Sequence, residues 1–320
     1  MQDAVESEFA VDPAELERHV RRSWRPIQEG DEQAFARTTT MNLIAVARSE
    51  DEMLLRSSLS AVFRASPCLA FLVFLDQEHR TLRAHFSRYA KGNGQNRRVV
   101  LECISLFAGP AEERRVASLV RPLLLDDLPT QFFWAAPLPA NAGLFFALGA
   151  SADQVVVDSS LFDRPESERR RLTEMRVESL DLAWMRLVAW RRALAEAFEH
   201  FQWRPGEAVT AEIRHGDTAG TRAASRALAA WLHARLNAEV QVVAAPHGQA
   251  PVDEPCSVVL RVGQRSVCIE HGWPAPRLRV TVELEATRSI PYEIVSPPRS
   301  RGELLVLAAR EIGVLSATAR

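Results

Sequence analysis

Between Leu180 and Arg192 the chain reads Leu-Asp-Leu-Ala-Trp-Met-Arg-Leu-Val-Ala-Trp-Arg-Arg, which sets two tryptophans and three arginines within four turns of a helix. At about 100° per residue, Leu180, Trp184, Leu187, Val188, Ala195 and Phe198 fall in one stripe with Arg191 in its middle. A guanidinium in a core stripe needs a carboxylate, because burying it unpaired is very costly whereas a bidentate carboxylate satisfies it in place. Two places supply candidates: Asp127, in Asp126-Asp127-Leu128-Pro129, and Asp158, after the apolar run Val155–Val157. Arg191 is therefore either paired with one of these inside the protein or aimed at an outside partner. Arg186 and Trp190, four apart, can make a cation-π contact. Asp181 suits the N-cap of the helix.

Other catalytic chemistry is hard to assemble. The eight histidines are scattered, and no His-Glu-x-x-His or Cys-x-x-Cys spacing occurs. Lys91 is the single lysine and lies in a turn-like Lys-Gly-Asn-Gly-Gln-Asn, which is not a phosphate loop. Asp158 and Ser159 do follow a buried strand, where open α/β sheets hold ligands, yet no glycine-rich turn accompanies them. No catalytic residue, metal or cofactor is expected. A sugar-phosphate enzyme or ligand sensor using Arg186 or Arg191 for phosphate and Asp158 as acid or base stays as the alternative.

The four cysteines are Cys68, Cys103, Cys256 and Cys268. A hairpin with Gly263-Gln264 at its tip pairs Val262 with Arg265, Leu260 with Val267 and Val258 with Ile269. Cys268 then faces Val259 while Cys256 faces His271 on the other side of the sheet, so a bridge or shared zinc between them is not expected.

These residues must be positioned by a chain of 320 residues, 47% hydrophobic and 25% charged. That length favours two domains. The formal net charge of −2, with acids interleaved among the arginines, leaves no single-sign face for nucleic acid or an anionic membrane. The start, acidic and not basic-apolar, gives no secretory leader, so a cytoplasmic location is expected. The uncharged stretch Leu128–Ala152 is broken by Pro129, Pro137 and Pro139 and reads as strand, loop and short helix.

The patterns predict an acidic tail and short helix over 1–37 and an N-terminal α/β domain over 38–165. A helical connector follows over 166–204, broken near Ser179–Asp181, and then a C-terminal α/β domain over 205–320. In the first domain strands at Thr38–Arg48 and Cys68–Asp76 flank a helix over Asp51–Ala65, and a helix is expected from Pro110 to Leu125. The fold class is α/β with α+β elements: two open mixed sheets joined by a long helical segment.

Four stretches in this order and spacing resemble a known family. They are Ala117–Trp134 (ASLVRPLLLDDLPTQFFW), Val155–Ser160 (VVVDSS), Leu180–Leu194 (LDLAWMRLVAWRRAL) and Ala227–Leu236 (ALAAWLHARL). Together they resemble the glucose-6-phosphate dehydrogenase assembly protein family, OpcA, from about Thr39 to Leu236 and more loosely to the C-terminus. The resemblance implies a cytoplasmic, non-catalytic assembly factor or allosteric activator of glucose-6-phosphate dehydrogenase. It marks Asp181, Trp184, Arg186, Trp190 and Arg191 as characteristic positions, with Asp127, Trp134 and Asp158 in the flanking motifs. Where the family pattern has His-Pro-Ser-Arg, this chain has Ser66-Pro67-Cys68-Leu69, which removes a basic corner.

Overall fold

The computed structural model describes residues 5–23, 39–76, 81–92, 98–139, 141–174, 176, 178–201, 204, 206–245, 253–272, 276–284, 287–288 and 291–318. It is α/β, with two mixed sheets in two compact units. The first unit contains 1–157, 170–180 and 301–320, and the second contains 158–169 and 181–300. His79 and part of the turn after Lys91 lie outside the described residues.

The first unit opens with β1 (Val5–Val11) and α1 (Leu16–Ser23). β1 pairs antiparallel with β4 (Arg83–Gly92), so residues expected in an acidic tail form a sheet strand instead. It stands at the edge of the sheet, where a charged, partly exposed strand is tolerated, and its acids make it read as a tail in the sequence. β2 (Met41–Arg48), α2 (Glu52–Ala65) and β3 (Cys68–Leu75) follow, then β5 (Arg98–Ala108) and α3 (Glu113–Val120). α3 starts three residues after Pro110 and ends in a 3-10 turn, Arg121–Leu123, so it is shorter than the pattern predicts. β6 (Thr130–Ala135), α4 (Gly143–Gly149) and β7 (Gln154–Val157) complete the sheet's parallel part.

β2 and β3 are apolar almost without a break because neighbours cover both faces of each, as a parallel layer requires. In space the strands run β1-β4-β5-β3-β2-β6-β7-β8. The strands β2, β3, β5, β6 and β7 are parallel and stand as 5-3-2-6-7, which in chain order is the 3-2-1-4-5 arrangement of doubly wound folds.

α5 (Pro165–Glu174) leads to the short strand β8 (Ser179–Asp181), where the helical segment breaks. α6 (Leu182–Arg186) and α7 (Val188–Phe201) are separated only at Leu187. The second sheet uses β9 (Val209–His215), β10 (Glu239–Ala244), β11 (Ser257–Val262), β12 (Arg265–Gly272), β13 (Arg277–Leu284), β14 (Thr287–Arg288) and β15 (Tyr292–Val295). β9 and β10 are parallel and joined by α8 (Ala219–Leu236), whose C-cap Asn237 takes the left-handed conformation. The remaining pairs are antiparallel.

Alternation sends Val209, Ala211 and Ile213 of β9, with Val258, Leu260, Val267, Ile269 and Val280, into one core with α7 and α8. The β11–β12 hairpin has the expected register, with Gly263 at φ 60° at its tip.

α9 (Arg301–Thr318), expected with the C-terminal half, packs against α2 of the first unit. The approach depends on Gly302, since a Cβ there would lie 2.4 Å from the Ser58 carbonyl oxygen.

Candidate functional site

The second unit gathers six of the eight motif residues: Asp158, Asp181, Trp184, Arg186, Trp190 and Arg191. The other two, Asp127 and Trp134, belong to the first. Trp134 is buried among Phe132 and Phe145, and its indole N–H donates to the Pro137 carbonyl at 3.2 Å. It holds the core and offers no surface. Asp127 is exposed on the loop before β6. That loop is tied down by Asn42, fully buried in β2, whose amide donates to Leu125 O, Leu128 O and Thr130 Oγ1 and accepts from Leu125 N.

The stripe read from the sequence is not the buried one. Leu180 lies in β8, outside the helix, and Val188 and Ala195 are exposed. The core face of α6 and α7 is Ala183, Arg186, Leu187, Trp190, Ala193, Leu194 and Ala197, roughly one residue's rotation away. Both stripes are apolar, and α8 and the second sheet select the one richer in alanine and leucine. The cation in the core is therefore Arg186.

Asp158 takes Arg186 in a two-pronged pair, Nη1 to Oδ1 and Nη2 to Oδ2, both at 3.1 Å. Side-chain exposure is 4% for Arg186 and 0% for Asp158, so neither charge reaches solvent. Burial works against the charged guanidinium, but the charge and hydrogen bonds of Asp158, then Asp253 and Asp181, outweigh it and hold Arg186 above its ordinary range. Asp158 Oδ1 also accepts from the hydroxyl of Ser160 at 2.5 Å and its N–H at 3.2 Å. Asp181 caps α6 by accepting from Ala183 N and Ser159 N, each at 3.0 Å, and its other oxygen takes Arg169 at 2.7 Å. Arg169, at 2.5 Å from Ser159 Oγ as well, lies in a run whose interleaved acids and arginines have the pattern of a solvated helix face.

Trp190 donates to Glu254 Oε2 at 3.0 Å, and His271 Nε2 is 3.3 Å from the same oxygen with its ring edge-on to the indole. The cation-π contact predicted for Arg186 and Trp190 is not the one formed. Instead Arg191 stacks on Trp184 at 4.1 Å, with Trp231 of α8 at 6.3 Å from Trp184. Arg191 has no carboxylate partner among the described residues, and its Nε is buried without a hydrogen bond. Desolvation accordingly pulls its pKa below the usual guanidinium range. The expected pairing of Arg191 with Asp127 or Asp158 is thus overturned, because Asp158 is committed to Arg186.

Doubly wound sheets of this strand order imply a dinucleotide at the carboxyl ends of β2 and β6, where the order reverses. The residues there do not fit one. The turn after β2 is Arg48-Ser49-Glu50-Asp51-Glu52, a 3-10 turn without glycine, and three carboxylates stand where the helix N-terminus would receive a pyrophosphate. A cleft lined by Arg121, Asp126, Thr130, Ser151 and Asp153 opens at the amino ends of β6 and β7, the opposite edge. No group of three or more His, Cys, Asp or Glu residues suited to a metal occurs among the described residues. No helix among them is long and apolar enough to cross a membrane. Cys68 and Cys103 are buried, and Cys256 and Cys268 are half-buried. All four are free thiols.

Comparison with known proteins places these features. Residues 60–174 match the family model described as glucose-6-phosphate dehydrogenase subunit N-terminal domain, and residues 177–313 match the corresponding C-terminal domain. The chain is 30% identical over 195 residues to the OxPP cycle protein OpcA of Nostoc punctiforme, covering 59% of this chain and 40% of that protein. It is 29% identical over 178 residues to the protein of that name in Synechocystis, covering 54% and 38%. The chain thus spans well under half the length of these curated relatives. Among solved structures it is similar to a levoglucosan dehydrogenase complexed with NADH and L-sorbose, with a TM-score of 0.46, 9% identity and coverage of 86% and 89%. A likeness of that size carries no functional weight. With both family domains matched in order, the chain belongs to the glucose-6-phosphate dehydrogenase assembly family, OpcA.

Proposed function

We propose that this protein is a non-catalytic assembly factor and allosteric activator of glucose-6-phosphate dehydrogenase, acting in the cytoplasm within the oxidative pentose phosphate pathway. The observation that carries this reading, beside the family, is the closed Arg186–Asp158 pair. The charged groups that a sugar-phosphate enzyme would use for binding and proton transfer neutralise each other out of reach of solvent, so the alternative reading loses its acid and one of its two phosphate-binding cations. The carboxylates after β2 likewise oppose a nicotinamide cofactor.

An assembly factor works by differential binding. If the chain binds the assembled dehydrogenase tenfold better than separated subunits, it shifts assembly by about 1.4 kcal/mol for each chain bound. The same preference for an active conformation raises turnover.

The test mixes the purified chain with the dehydrogenase of its own organism. Sedimentation should show a larger complex, and glucose 6-phosphate oxidation should rise with the concentration of the chain. The chain alone should neither turn over the sugar phosphate nor bind NADP. Unchanged sedimentation and turnover across the concentration range would reject the proposal, as would turnover by the isolated chain.

A further inference from the structure

Trp184, Val188, Arg191, Ala195 and Phe198 are spaced 4-3-4-3, the period of a seam that helices bury against one another. That seam faces outward. Val188 is 47% exposed and Ala195 is exposed, while Trp184 and Phe198 are partly buried against the second unit's core. Arg191 lies at its centre, stacked on Trp184 and unpaired among the described residues, although its neighbour Arg192 is satisfied by Glu196 at 2.6 Å. Trp231 of α8 extends the aromatic platform beside Trp184.

An apolar stripe with a desolvated, unmatched cation at its middle is half of an interface. The buried Nε loses water without gaining a hydrogen-bond partner, while the side chain as a whole is half-buried. Its stacking on Trp184 fixes the guanidinium plane, so that an incoming carboxylate meets an oriented donor set.

We infer that the outer face of α7, with Trp231 of α8, docks a helical segment of the dehydrogenase that carries an Asp or Glu opposite Arg191 and apolar side chains against Val188 and Ala195. This rests on the proposed function and names the surface that executes it. Charge complementarity selects the occupant: a basic or neutral segment would leave Arg191 buried and unpaired, and a small anion would leave the apolar stripe uncovered.

The test uses the full chain and the intact dehydrogenase, with binding titrated by sedimentation and activation followed in parallel. Arg191→Gln should weaken binding about 30-fold or more, the loss that marks an interface hot spot, and Arg191→Glu should weaken it further. Arg191 has no ion pair to lose among the described residues, so Arg191→Gln gives up only its stacking on Trp184, about 1 kcal/mol, and should melt within about 4 °C of the wild type. Val188→Glu, at an exposed position that folding does not require, should give the same loss independently. Crosslinking should place a carboxylate of the dehydrogenase beside α7, and changing that residue to Arg should restore binding to Arg191→Glu. If the wild type binds and both Arg191→Glu and Val188→Glu bind within twofold of it, this surface is wrong while the functional reading stands. If the wild type itself does not bind, the functional reading fails first. A homodimer of the isolated chain that Arg191→Glu dissolves would also overturn the inference, since the occupant would be a second copy.

Discussion

Replacing Arg186 by Met leaves the Asp158 carboxyl group without its two-pronged cation in a site with no solvent access. Removing one member of a buried pair costs about 3–5 kcal/mol, chiefly because the remaining charge stays desolvated. Asp158→Leu should cost as much by orphaning Arg186, whose remaining acidic neighbours act through space. Were the effects independent, the double variant would lose about 6–10 kcal/mol. Replacing both charges by apolar groups removes the desolvation problem, so the double variant should instead return to within about 2 kcal/mol of the wild type. Urea unfolding followed by tryptophan fluorescence is a suitable assay, because Trp184, Trp190 and Trp231 all report on the second unit. At about 2–4 °C per kcal/mol the single variants should also melt on the order of 10 °C lower. A single variant costing less than about 1 kcal/mol, or a double variant equal to the sum of the singles, would refute the assignment of Arg186 as the core cation.

Asn42→Ala should cost about 3 kcal/mol, since it strips partners from the Leu125 and Leu128 backbone at once, and it should speed proteolysis at Asp126–Asp127; wild-type urea stability and cleavage would count against that role. Gly302→Val should cost about 1–3 kcal/mol as α9 is pushed from the Ser58 carbonyl, seen as faster amide exchange over residues 301–310, and unchanged exchange would show that the approach is not tight. Burial, reinforced by Glu270, pushes the Cys268 thiol up to about 11, so its thiolate is scarcer at pH 8 than that of an ordinary cysteine. Its alkylation rate, followed by mass spectrometry, should keep rising about tenfold per pH unit beyond pH 9, and a plateau below pH 9 would disprove the shift.

The sequence alone established the periodic features. β2 and β3 are legible because a strand covered on both faces is apolar throughout, and the β11–β12 register because a two-residue turn leaves one pairing that keeps the alternation. The Asp181 cap is legible because a cap acts within two residues of itself. So was the rule that a buried guanidinium takes a bidentate carboxylate, with Asp158 named as a candidate. Which arginine is buried was not legible, because α6 and α7 carry two apolar stripes and only the packing of α8 and the second sheet chooses between them. Arg169, Glu254 and Asn42 are not legible for the same reason: their partners are distant in the chain, and no local pattern brings such residues together. Local periodicity fixes what each segment can bury, whereas tertiary packing decides which charge is neutralised and which is left facing outward.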